Sequence, residues 1–145
     1  MKINLRSLLW RIGRYIYKYA RKENFYSAKN NGEYALVKNL IRGLGNNNRA
    51  VFLDIGAFKG DWSLTVSEYL KVEKKQGKIF TFEPATNTFN FLKKKITNNN
   101  NIILSKKAFS DISGRKNFFI FGELNGTNSL IKNKTASINK VNTVT

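Results

Sequence analysis

Between residues 51 and 111 the chain repeats one pattern. A short apolar segment, "VFLDI" (51–55), turns at Gly56 and Gly60 into an amphipathic stretch over about 61–75. A second, "GKIFTFEP" (77–84), is halted by Pro84 before "ATNTFNFLKKKITNNN", and a third follows in "NIILSKKAFSD" (101–111). Period-2 apolar runs alternating with 3.6-period runs predict strand–helix–strand–helix–strand, the repeat of a doubly wound parallel α/β sheet. "GRKNFFIF" (114–121) reads as a fourth strand, antiparallel or at an edge, and the sequence beyond Gly122 turns polar.

In such a sheet, ligands bind beyond the carboxyl ends of the strands. Acids stand at those ends here: Asp54 and Glu83 close the first two strands, and Ser110–Asp111 follows the third. They are conspicuous because the chain has 9 acidic and 26 basic residues, a net charge of +17. It has neither cysteine nor histidine, which removes disulfides, thiolate metal sites and the commonest general base. No metal site is expected. A charge this high attracts polyanions. The chain is rich in Lys, Asn, Ile and Phe throughout, however, so nucleic acid is discounted as a specific partner.

The loop that carries Asp54 decides among cofactors. A dinucleotide needs G-x-G-x-x-G, with glycines that admit a pyrophosphate to a helix N-terminus. The sequence offers Asp54-x-Gly56-x-x-x-Gly60 instead: an acid before the first glycine repels a pyrophosphate, and Phe58 and Lys59 obstruct its approach. No P-loop Gly-Lys-Ser/Thr follows. S-adenosylmethionine, cationic at its ammonium and sulfonium, suits the loop better. Asp54 is placed to attract the ammonium and brace the turn, and Glu83 to accept from both ribose hydroxyls. Asp111, or the backbone near Ala108, can meet the adenine edge.

These residues resemble a known family. "FLDIGAFKGDWSL", "GKIFTFEPATNTFNFLKKKI", "NIILSKKAFSDISGRKNFFIF" and "GTNSL", in that order, are similar to FkbM-type S-adenosylmethionine-dependent methyltransferases, from about residue 32 onward. The resemblance implies a Rossmann-like fold and methyl transfer to a hydroxyl of a sugar or other natural product, so the expected partner is a small-molecule or glycan acceptor. It implies that Asp54, Gly56 and Gly60 shape the methionine end, that Glu83 holds the ribose, and that the turn Ala108–Asp111 borders the adenine. Asn128 and Ser129 are implied on the methionine or acceptor side. Phe58 departs from the small or polar residue usual at its position. The family's later elements are not found after "VNTVT" (141–145), so the expectation is a truncated form with an incomplete sheet, three parallel strands plus one more, and the sequence leaves its activity open. No catalytic base can be named.

Residues 1–31 are read as a basic N-terminal helix and linker, and 32–145 as the partial methyltransferase domain. Residues 1–22 carry seven basic residues and no acid, with Leu5, Leu8, Leu9, Ile12, Ile16 and Tyr19 at helical spacing. Basic residues interrupt every apolar run, so neither a membrane span nor a signal peptide is expected. The location read from this is cytoplasmic. Two roles stay open for the helix: packing on the domain or a partner, or peripheral contact with an anionic inner membrane face, with Trp10 and the tyrosines at headgroup level. Two other functions compete with methyl transfer: a non-catalytic basic membrane- or polyanion-binding module, and a nicotinamide-dependent oxidoreductase. The "NKT" sequon (133–135) is read as a chance match.

Overall fold

The computed structural model describes residues 4–21, 28–29, 31–122, 124, 126–131 and 136–145. The sequon at 133–135, and residues 1–3 and 22 of the basic segment, lie outside the described residues. The chain separates into two compact units, Met1–Asn39 and Leu40–Thr145.

In the first unit, α1 (Leu5–Ala20) begins at Asn4, whose side chain accepts a hydrogen bond from the Arg6 N–H at 3.0 Å. This cap satisfies one of the donors that every helix start leaves open. No residue of α1 is buried. A second helix, α2 (Glu33–Arg42), runs across the division between the units.

The second unit is α/β and begins with the predicted alternation: β1 (Arg49–Ile55), α3 (Asp61–Val72), β2 (Gln76–Phe82), α4 (Thr86–Lys95) and β3 (Ile102–Ser105). These strands form a parallel sheet in the order β1-β2-β3. Alternation along the strands sorts their side chains onto two faces. Phe52, Asp54, Ile79, Thr81 and Ile102 share the face against which α3 packs: Phe52 meets Trp62 edge-on at 6.3 Å, and Ser63 bonds both Asp54 and Thr81. Ile79 and Thr81 are fully buried there. Polar ties hold the helices in place. Ser67 donates to Asn101 at 2.9 Å, Lys95 pairs with Asp61 at 2.6 Å, and Arg42 pairs with Glu73 at 2.7 Å.

The other face is largely uncovered along β1, while Phe82 on it packs against Phe109. Val51, Leu53, Ile55 and Ile103 are 66, 55, 55 and 41% exposed. Sheets of this parallel kind ordinarily have both faces covered. Among the described residues β1 pairs with β2 alone, so it stands at the sheet's edge with one side of its backbone open.

The segment after β3 departs from the sequence reading. A third strand and the loop after it were expected within 101–111. Instead the chain leaves the first sheet at Lys106 and enters β4 (Lys107–Phe109), part of a second sheet in the order β4-β6-β5. There β5 (Gly114–Ile120) runs antiparallel to β6 (Ser137–Val144), and β4 runs parallel to it. β5 falls where a fourth strand was expected and is antiparallel, but it belongs to this second sheet and does not extend the first. β6 was not foreseen, because "SINKVNTV" is polar; only Val141 and Thr143 of it are buried. It is held by backbone pairing on both sides rather than by an apolar face. Ala85, Ala108, Phe118 and Val141 form this sheet's buried core, with Ile120 and Leu130 packed against them.

Candidate functional site

The carboxyl ends of β1 and β2 converge on Glu83. The carboxylate is 6% exposed and uses both oxygens: Oε2 accepts the Phe58 N–H at 2.9 Å and Oε1 the Ala85 N–H at 2.8 Å. One side chain thus braces both the turn after β1 and the start of α4. Burial pushes the carboxyl above its ordinary value of 4.5; the Ala85 and Phe58 N–H groups pull it down, and the charge of Asp54 adds to the rise. Each carboxylate oxygen has two lone pairs, so Glu83 retains acceptor capacity for hydroxyls.

The turn that Glu83 braces is left-handed at Gly56 (φ 78°), Phe58 (φ 51°) and Gly60 (φ 73°). The N–H groups of Gly56 and Ala57 both donate to the Phe82 carbonyl at 3.0 Å, which ties the turn to β2. A Cβ on Gly56 would meet nothing within 4 Å, so the backbone lies open at that point. A Cβ on Gly60 would stand 2.2 Å from Leu92 Cδ1. Gly60 therefore serves the close approach of α3 to α4.

Beside the turn is a half-open cavity of about 280 Å³. Its polar positions are Gly56, Glu83, Lys107, Asn128 and Ser129, and its walls include Phe58, Pro84, Ala108, Phe109, Phe118 and Leu130. Phe109 is locked edge-on against Phe82 at 4.7 Å. Asn128 accepts the Phe121 N–H at 2.9 Å, and Ser129 exchanges two backbone hydrogen bonds with Phe119, which fixes 128–130 against β5. Apolar walls with a few convergent polar groups are the composition usual for small-molecule pockets. The volume lies near the lower end of the roughly 300–1,000 Å³ that small-molecule sites span, so it matches a nucleoside-sized group better than a whole dinucleotide. A larger cavity of about 530 Å³, lined by Lys106, Arg115 and Lys140, has no carboxylate in its lining.

Of the residues read from the sequence, Gly56, Glu83, Ala108, Asn128 and Ser129 come together at the cavity. Three do not line it. Gly60 faces Leu92. Asp54 points to the α3 side of the sheet, where its Oδ2 accepts the Ser63 hydroxyl at 2.6 Å. Since that hydroxyl proton is spent on Asp54, Thr81 donates to Ser63 at 2.7 Å, completing a chain from β1 through α3 to β2. Asp111 is exposed and bound to Lys116 and Ser110, which hold its carboxyl down at about 2. Sequence reasoning missed the aromatic walls Phe109 and Phe118; the one available signal was the density of Phe around 109–121.

No protein-family model, no curated protein and no solved structure matches this chain.

Proposed function

We propose that the second unit is a Rossmann-like domain that binds S-adenosylmethionine, in the manner of the FkbM-type methyltransferases it resembles, and serves methyl transfer to a sugar or other hydroxyl acceptor. The observation that carries the proposal is the convergence of Gly56, Glu83, Ala108, Asn128 and Ser129, drawn from four separate stretches of sequence, on one cavity. The residues fit the nucleoside part of the cofactor. Glu83 has lone pairs left for ribose hydroxyls, Gly56 exposes backbone without a side chain, and Ala108 with its aromatic neighbours offers apolar walls for a base.

When bound, the cofactor supplies an electrophilic methyl group on a sulfonium. The chain's own contribution is positioning: a braced turn, a buried carboxylate and rigid walls hold one reactant in place for attack. Glu83 and Lys107 are the titratable residues of the lining, and Glu83 is committed to two N–H groups. The proposal therefore assigns cofactor binding to this chain and no acceptor base. Ligand crevices of doubly wound sheets open where the strand order reverses, beside the first strand. The open edge of β1 is where a further strand would pair to complete such a crevice.

The test is ligand discrimination. S-adenosylhomocysteine at a hundredfold excess over its Kd is expected to stabilise the chain by about 2.7 kcal/mol, with adenosine competing and NAD failing to compete. Displacement by NAD at comparable concentration would favour the nicotinamide reading instead.

A further inference from the structure

Helix α1 separates its chemistry onto two arcs. At 3.6 residues per turn, Leu5, Leu8, Leu9, Ile12, Ile16 and Tyr19 share one side, and Leu5, Leu9, Ile12 and Ile16 are 67, 60, 48 and 60% exposed. Arg6 borders this apolar arc on one flank; Arg11 and Lys18 border it on the other. Trp10, Arg14, Tyr17 and Arg21 occupy the far side, where the Arg14 guanidinium sits 5.1 Å from the Trp10 ring centre and Arg21 donates to the Tyr17 hydroxyl at 2.5 Å. Trp10 lies opposite the apolar arc, stacked with a cation of its own helix.

We propose that α1 lies in the interface of an anionic lipid membrane, its apolar arc in the acyl boundary and Arg6, Arg11 and Lys18 on the headgroups at its flanks. Charge complementarity selects the occupant, since the helix carries four cations and no acid. A lipid surface engages both arcs at once, with apolar chains below and anionic phosphates alongside. Nucleic acid would engage the cations and leave the apolar arc in water. An apolar protein groove would take the arc and leave Arg6 and Arg11 outside it. No described helix is long and apolar enough to cross a membrane, and α1 at 16 residues suits lying in the plane.

The experiment is co-sedimentation of the full chain with phosphatidylcholine vesicles, with and without added phosphatidylglycerol, at low salt. Binding to the anionic vesicles is expected, with little to the neutral ones. Replacing Arg6 and Arg11 together by Gln should weaken it about thirtyfold, about fivefold per basic side chain. Ile12→Glu should abolish it, and the milder Ile12→Ala should weaken it while leaving the helix intact. Because the whole chain is strongly basic, the Ile12 variants are decisive. Retention of binding in Ile12→Glu would assign it to overall charge and overturn the proposal. Failure to sediment with anionic vesicles, with tight binding of RNA instead, would overturn it equally.

Discussion

Glu83, just past the end of β2, accepts a hydrogen bond from the backbone N–H of Phe58, in the turn after β1, at 2.9 Å. That bond ties the turn after β1 to the residue after β2, 25 residues apart in sequence, beside the cavity. Its partner bond to Ala85 makes Glu83 a structural brace as well as a candidate ligand group.

Glu83→Gln keeps the size of the side chain but turns one acceptor oxygen into a donor, so either the Phe58 or the Ala85 N–H faces an NH₂ group. The expected cost is about 1–3 kcal/mol, read from urea unfolding. The pH dependence follows from the raised carboxyl. The folded state holds this proton more tightly than the unfolded chain, so the group's contribution to stability is complete below 4.5 and is lost as pH rises from there through the folded value. The variant should lack that downward slope.

The two glycines of the turn should separate stability from binding. Gly60→Ala forces a Cβ against Leu92 as well as a left-handed backbone, and is expected to cost about 2–4 kcal/mol in thermal or urea unfolding. Gly56→Ala bears only the backbone term, about 1–2 kcal/mol, because its Cβ meets open space. That space belongs to the cavity, so Gly56→Ala should lose more in ligand affinity than in stability.

Asp111→Asn should leave S-adenosylhomocysteine affinity unchanged, because the carboxylate stands outside the cavity with Lys116 and Ser110. Its signature is in acid. The pair's contribution is present above 3.8 and is lost as pH falls toward about 2, so the variant should lack that limb of the acid-unfolding curve. A large loss of ligand affinity would return Asp111 to the site.

The uncovered face of β1 should govern self-association. Val51→Lys with Leu53→Lys, both on that face, is expected to reduce aggregation in light scattering while changing unfolding free energy by about 0.5 kcal/mol or less, as for other exposed substitutions. An unchanged tendency to aggregate would mean that the face is not what drives association.

The parallel core was legible because its signals are local. Two-residue and 3.6-residue periods fix β1, α3, β2, α4 and β3, and Pro84 marks where β2 stops. Glu83 was legible for the same reason, standing between an apolar strand and a proline. The destination of Asp54 was not. Strand parity puts it on the face of Phe52, and only the docking of α3, with Ser63 in reach, decides that this face is the helix side. Asp111 was misread because Lys116, on the next strand, captures it across a turn. β6 escaped notice because a strand paired on both edges needs little apolar content to hold it.

The most direct test of the central claim is calorimetric titration of S-adenosylhomocysteine into the full chain, beside Gly56→Ala, Glu83→Gln and Asp111→Asn. Saturable binding at one site, weakened by the first two substitutions and untouched by the third, is the predicted result. A folded chain that takes up no ligand, or whose binding ignores Gly56 and Glu83, would contradict the assignment of this cavity to the cofactor.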